Sequence, residues 1–163
     1  MDNTPHFWNH RRSRNNSATS VVVIGLGRFG GSLAAELARS GTEVLGIDTD
    51  EDTVQSLNGI LTHVVRADST KQVALDQLGI ANFDRVVVGI GSDIQASILT
   101  ASLLKRMGIQ SIWAKAISEQ HGLILEQLGI DHVIYPEADM GRRVAHLVRG
   151  SMLDYVEFDR DLV

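Results

Sequence analysis

Val21-Val22-Val23-Ile24-Gly25-Leu26-Gly27-Arg28-Phe29-Gly30 is the stretch that decides the fold. A run of β-branched apolar residues with no polar alternation needs burial on both sides, which is the position of a central strand in a parallel sheet. Glycine closes the run, and Leu33, Leu37 and Ala38 then recur at helical spacing until Gly41 supplies a stop. Within the turn each glycine has a mechanical task. Gly25 makes the tight turn, Gly27 lets backbone approach a pyrophosphate, and Gly30 permits close packing of helix on strand. The helix that follows aims free N–H groups and the positive end of its dipole at an anion. G-x-G-x-x-G alone is a weak signal; between a strand and an amphipathic helix it gains its confirming context.

Outward from this unit the same cycle repeats. Glu43-Val44-Leu45-Gly46-Ile47, His63-Val64-Val65, Arg85-Val86-Val87-Val88, Ser111-Ile112-Trp113-Ala114 and His132-Val133-Ile134-Tyr135 read as further strands, each separated from the next by a helical pattern. Strands alternating with helices predict an α/β fold with a parallel sheet. Right-handed crossovers make the doubly wound, six-stranded Rossmann order 3-2-1-4-5-6 the economical topology. Three segments result: a leader over 1–19, a nucleotide-binding lobe over 20–136, and a crossover and dimerisation segment over 137–163. The leader carries Asn, Ser and His with Arg11, Arg12 and Arg14 and no hydrophobic period, as in a disordered segment. A basic arm anchored by Phe7 and Trp8 is the alternative reading.

Composition narrows the function. The 163 residues are room for one domain. With 15 Lys+Arg against 20 Asp+Glu the net charge is −5, which argues against binding a nucleic-acid backbone. The absence of cysteine excludes a disulfide framework, a thiolate nucleophile and a cysteine-based metal site. No apolar run approaches the ~20 residues that span a bilayer, so the expectation is a soluble, cytoplasmic chain.

The second element of a dinucleotide site is an acid about 20 residues beyond the glycine turn, and Asp48 supplies it after Gly46-Ile47. A carboxylate there accepts from ribose hydroxyls and repels a 2′-phosphate, which favours NAD or an adenosine nucleotide over NADP. Asp50 reads as a second such acid or as the N-cap of the next helix. Arg28, inside the glycine turn, either forks onto a phosphate or packs over the loop onto a carboxylate. Charge there hints at a ligand more phosphorylated than a dinucleotide, such as ATP. Asp68, in Ala67-Asp68-Ser69-Thr70, either meets an adenine amino group or caps a helix from Lys71. Gly89-Ile90-Gly91-Ser92-Asp93 forms a second flexible turn on the same edge, and Lys115, just past the fifth strand, reaches phosphate or stands free on the surface.

Catalytic machinery is missing. The histidines at 6, 10, 63, 121, 132 and 146 fall in no H-E-x-x-H or metal-ligand spacing. A P-loop and a G-x-S-x-G elbow are both absent. The pattern is that of a binding site without chemistry. Over 137–149 a helix presents Met140, Val144, Leu147 and Val148 as an apolar stripe, and Met152, Leu153, Tyr155, Val156 and Phe158 extend the apolar content. That stripe either packs on its own sheet or crosses to a second copy in a two-fold interface.

Together, the glycine turn with its arginine, Gly46-Ile47-Asp48, Ala67-Asp68-Ser69-Thr70, Gly91-Ser92-Asp93 and Tyr135-Pro136-Glu137 resemble RCK domains. These are regulator-of-K⁺-conductance domains of the TrkA-N type, as in the cytosolic subunits of Ktr/Trk potassium uptake systems. The resemblance spans about residues 20–158. It implies a non-catalytic regulatory subunit that binds ATP, ADP or NAD(H) and gates a membrane potassium transporter or channel from the inner face of the membrane. It also implies a crossover helix from Glu137, a homodimer, and a ring of such dimers. The cofactor site it implies is Gly25, Gly27, Arg28, Phe29, Gly30, Asp48, Thr49, Asp68, Ser69, Gly91 and Lys115. Glu137 would sit at the dimer junction, where family members hold a cation beside the nucleotide. RCK proteins usually continue into a second lobe, and Ala67 stands where glycine is expected before Asp68. The competing class is the cofactor lobe of an NAD-dependent oxidoreductase, with a free-standing NADH/NAD redox sensor as a third reading.

Overall fold

The computed structural model describes residues 19–160, with side chains described as far as Ser151. The leader over 1–18 and the side chains of Met152, Leu153, Tyr155, Val156 and Phe158 lie outside the described residues. The chain runs β1 (Ser20–Ile24), α1 (Arg28–Arg39), β2 (Glu43–Asp48), α2 (Glu51–Leu57), β3 (His63–Arg66), α3 (Gln72–Gln77), a 3₁₀ turn (Ile80–Asn82), β4 (Arg85–Val88), α4 (Ile94–Arg106), β5 (Ile112–Lys115), α5 (Glu119–Gln127), β6 (His132–Ile134) and α6 (Pro136–Arg160).

The six strands form one sheet in the order β3-β2-β1-β4-β5-β6, every pair parallel. This is the predicted doubly wound topology. Alternation along the strands divides the core in two. Val22, Ile24, Leu45, Ile47, Val86, Val88, Ile112 and Ala114 face Leu75, Leu104 and Leu125 from α3, α4 and α5. Val21, Val23, Val44 and Val87 face the opposite way, against Leu26, Ala34, Leu37 and Leu57 from the glycine loop, α1 and α2. Right-handed crossovers demand this division, because the chain reverses its direction of travel across the sheet after β3. Between β1 and β4 the connections diverge to opposite faces, and a crevice opens at the carboxyl ends of the strands.

Two strand ends differ from expectation. Lys115 is the last residue of β5 rather than a residue past it, because its backbone pairs with Ile134 of β6. β6 stops at Ile134, and Pro136 opens α6, where a missing N–H costs nothing and the fixed φ suits a first helical turn. α6 therefore starts one residue before the expected Glu137 and runs on to Arg160.

As far as Ser151, α6 leaves its apolar stripe off the sheet. Met140, Val144, Leu147 and Val148 are between 48% and 61% exposed, so packing of the stripe on its own domain is not what this chain does. Among the described residues, no helix is long and apolar enough to cross a membrane.

Candidate functional site

The glycine loop is held by backbone contacts that leave no room for side chains. Gly25 has φ +90°, and a Cβ there would lie 2.7 Å from the Ile90 nitrogen. At Gly30 a Cβ would lie 1.8 Å from the Gly25 carbonyl oxygen, so this glycine lets α1 start directly against the turn. Gly25 donates to the Ile47 carbonyl at 2.8 Å, and Gly89 donates to the Ile24 carbonyl at 2.7 Å. Gly27 is different: a Cβ there would meet nothing within 4 Å. Packing explains Gly25 and Gly30 and leaves Gly27 open toward the crevice. No described side chain caps the first turn of α1, so the N–H groups of Arg28, Phe29 and Gly30 face the crevice without a helical acceptor.

Asp48 ends β2 and braces this loop. Its Oδ2 accepts from the Leu26 N–H at 2.8 Å and its Oδ1 from the Asp50 N–H at 2.9 Å. Gly46, two residues earlier, makes space for the Leu26 side chain: a Cβ there would lie 3.0 Å from Leu26 Cδ1 and 2.7 Å from Leu61 Cδ1. Sequence spacing pointed to Asp48 as a ribose acid; its bond to Leu26 was not legible in it. The glycine at 46 was the signal that a side chain from another segment crosses β2 there.

Asp50 is the N-cap of α2, accepting from Thr53 N–H at 3.2 Å and Thr53 Oγ1 at 2.7 Å, bonds that hold its carboxyl below the usual range. Asp68 is not a helix cap. It accepts from the Thr70 hydroxyl at 2.6 Å and the Thr70 N–H at 2.9 Å, which lower its pKa, and α3 starts only at Gln72 with Lys71 at the N-cap. Ser69 is buried, its hydroxyl 2.8 Å from Thr100 Oγ1, so it ties the β3 loop to α4. The Thr49 carbonyl accepts from Arg66 Nε–H at 3.0 Å. Asp93 caps α4 through the Ala96 N–H at 3.0 Å.

These loops enclose a cleft of about 870 Å³ lined by Gly25, Gly27, Arg28, Phe29, Asp48, Thr49, Asp68, Ser69, Gly91, Lys115 and Glu137, among others. Every residue that the sequence nominated for the site lines it, apart from Gly30, which sits behind the turn. Arg28 opens α1 at the mouth, and among the described residues no carboxylate pairs with it, which sets aside the alternative of an Arg folded onto an acid. Lys115 is not a free surface lysine. Its side chain is 10% exposed, its Nζ lies 2.5 Å from Glu137 Oε1, and it stands 5.8 Å from the centre of the Phe29 ring. The ammonium holds the Glu137 carboxyl below its ordinary range through this hydrogen bond.

A nucleotide fits these features: an uncapped helix start, an open Gly27, an acid at the end of β2 and two cations, Arg28 and Lys115, among the lining residues. A metal ion does not fit one chain by itself. Among the described residues no three His, Cys, Asp or Glu side chains converge, and the Glu137 carboxylate already carries an ammonium.

One buried pair looks catalytic and is not. Ser97 Oγ lies 2.9 Å from His121 Nε2, both residues buried on the α4–α5 side. The Ile117 N–H donates to His121 Nδ1 at 3.2 Å, so the proton sits on Nε2 and is donated to Ser97. A base in that tautomer has no lone pair for the serine proton. Burial also lowers the His121 pKa and keeps the ring neutral.

A family model, the TrkA-N domain, matches residues 21–136. The chain is 46% identical over 141 residues to the Ktr system potassium uptake protein C of Bacillus subtilis, covering 86% of this chain and 64% of that protein. It is 47% identical over 137 residues to the Ktr system potassium uptake protein A of the same organism, covering 83% and 62%. The chain thus spans less than two thirds of the length of these relatives. In three dimensions it is similar to the GsuK RCK domain, with a TM-score of 0.71 at 24% identity over 84% of this chain and 29% of that one. The GsuK channel bound to NAD superposes with a TM-score of 0.64 at 15% identity, over 74% of this chain and 22% of that one. GsuK bound to ADP gives 0.63 at 16%, over 77% and 35%. The chain belongs to the TrkA-N domain family.

Proposed function

We propose that this chain is a non-catalytic regulatory subunit that binds ATP or ADP, with NAD(H) as the other ligand of matching shape, and gates a membrane potassium transporter or channel. The observation that carries the reading is the cleft at the carboxyl edge of β1 and β4, with Asp48 bracing the glycine loop and Gly27 open beside it. Support comes from the Ktr relatives, and from GsuK, which is seen with NAD and with ADP. In this reading the backbone N–H groups of α1 hold the diphosphate, Asp48 accepts from the ribose, Asp68 lies near the adenine and Arg28 reads the terminal phosphate. A cation accompanying the phosphates would offset the Glu137 carboxylate at the dimer junction. The chain acts from the cytoplasmic face, as a homodimer joined by α6 and assembled into a ring.

The mechanism is allosteric. A ligand shifts the gate only by its difference in affinity between two settings of the dimer. A ratio of about 100-fold supplies roughly 2.7 kcal/mol per site, and several sites in a ring multiply that into a near-complete shift. The oxidoreductase alternative needs a proton-transfer group in the cleft, and the buried Ser97–His121 pair is not among the residues that line it. Calorimetric titration of the unmutated chain and Arg28→Ala with ATP and ADP tests the proposal. Discrimination between the two nucleotides that disappears in the variant supports it; equal affinities in the unmutated chain remove the terminal-phosphate role.

A further inference from the structure

Two buried hydroxyls meet behind the loop that follows β3. Ser69 and Thr100 are both closed to solvent, and their oxygens lie 2.8 Å apart. Thr100 is on the buried face of α4 with Ser97, Ala101 and Leu104, and is not among the residues that line the cleft. Apolar side chains would suit that core, and exchanging both hydroxyls for apolar groups of the same shape costs a fold little. What the pair contributes is position more than net stability. The loop has few other ties to the body of the domain. Its backbone is anchored where the Ala67 N–H donates to the Asp48 carbonyl at 3.1 Å. Beyond that point its bonds turn inward: Thr70 donates twice to Asp68 Oδ1, and the Lys71 N–H donates to the Asp68 carbonyl. Lys71 gives α3 no side-chain cap. α4, by contrast, is capped by Asp93 and bonded through Ser97 to His121 of α5. The Ser69–Thr100 bond therefore sets the loop against a well-anchored helix.

Asp68, the neighbour of Ser69, lines the cleft with its Oδ1 taken by Thr70 and, among the described residues, no donor on its Oδ2. A carboxylate oxygen so placed accepts from the exocyclic amino group of a base such as adenine. It repels the carbonyl oxygen that guanine or hypoxanthine carries at the same position. Discrimination of this kind requires the acceptor to be held to within about 0.5 Å. We propose that Thr100 is a positioning residue for base selection: through the Ser69 hydroxyl it sets the reach of Asp68 into the cleft, so that an aminopurine is accepted and an oxopurine refused. This deepens the nucleotide-binding reading and rests on it.

Calorimetric titration of the full chain with ATP and with inosine triphosphate tests this, since the two differ in an amino or a carbonyl group at one purine position. The unmutated chain should prefer ATP by about tenfold or more, the scale of one hydrogen bond to a charged group. Thr100→Val and Ser69→Ala should each bring that preference close to unity by weakening ATP more than inosine triphosphate, and Thr100→Ser should keep it. Ser69→Ala, in a surface loop, carries the test if the core variant does not fold. Equal weakening of both nucleotides in the variants makes the hydroxyl pair purely structural and overturns the proposal. An undiminished preference in the variants overturns it and leaves nucleotide binding standing. Equal affinities in the unmutated chain overturn base selection. No binding of ATP contradicts the nucleotide reading itself, and this proposal with it.

Discussion

The carboxylate of Asp48 accepts the backbone N–H of Leu26 at 2.8 Å, across 22 residues of sequence, and so ties the end of β2 to the middle of the glycine loop. This acid has a structural task as well as the binding task its position suggests. The loop that would receive a phosphate is held in shape before a ligand arrives, which lowers the ordering cost of binding.

Asp48→Ala should therefore lower stability as well as binding. Loss of a charge-assisted bond to a part-buried N–H costs about 1.5–3 kcal/mol, or roughly 3–12 °C in Tm for a chain of this size. Asp48→Asn keeps one acceptor and should fall between the two. A melting curve for Asp48→Ala that superimposes on the unmutated chain would contradict the brace.

Gly30 and Gly27 should respond in opposite ways to the same substitution. Gly30→Ala places a methyl 1.8 Å from the Gly25 carbonyl, a collision with backbone that cannot rotate away. We expect about 3 kcal/mol or more of destabilisation, the upper end of overpacking costs. Gly27→Ala meets open space within the chain and should cost less than about 1 kcal/mol in stability, yet weaken nucleotide binding by obstructing the phosphate. Urea unfolding of both variants, paired with titration of Gly27→Ala, separates packing from ligand approach.

Those two glycines mark how far the sequence could be read. The strands and their order were legible because continuous apolar runs such as 21–24 leave a sheet no alternative to burial, and right-handed crossovers then fix the rest. The cleft was legible as a set of residue types at the carboxyl ends of strands. Partnerships inside it were not. Lys115 and Glu137 meet only because β5 and β6 pair as far as Lys115 and Pro136 then turns the chain directly into α6. Ser69 and Thr100 lie in separate loop and helix segments, and no periodicity couples them. Asp68 has the residue type of a cap, but Thr70 satisfies it two residues on, before a helix can start.

His121 makes stability depend on pH. Burial depresses its pKa from the ordinary value of 6.5, so below that value the unfolded chain binds a proton that the folded chain refuses. The contribution is complete above about pH 6.5 and is lost as pH falls toward the folded value, at up to roughly 1.4 kcal/mol per pH unit. Asp50, Asp68 and Glu137 have lowered pKa values and act in a separate, more acidic window, losing their contribution as pH falls below the ordinary carboxylate range. Urea unfolding at about pH 7.5 and about pH 5.5 should show a loss that is smaller in His121→Gln. An equal loss in both proteins would assign it elsewhere.

The exposed stripe on α6 predicts an oligomer. Leu147 is 61% exposed and sits in line with Met140 and Val144 on the described part of a helix that leaves this stripe uncovered. Leu147→Glu should convert a dimer to monomers by light scattering, with far-UV circular dichroism unchanged. A mass unaltered by the substitution would exclude α6 as the seam.

Thermal melting against ATP, ADP, AMP, NAD, NADH and NADPH addresses the central claim most directly. A ligand at about 100 times its Kd stabilises by about 2.7 kcal/mol, which raises the midpoint of a chain this size by roughly 5–10 °C. The account predicts that ATP and ADP produce this rise, that NAD or NADH produces it as the second ligand class, and that NADPH does not because Asp48 repels its 2′-phosphate. A midpoint that no adenosine nucleotide moves, or that NADPH alone moves, would contradict it.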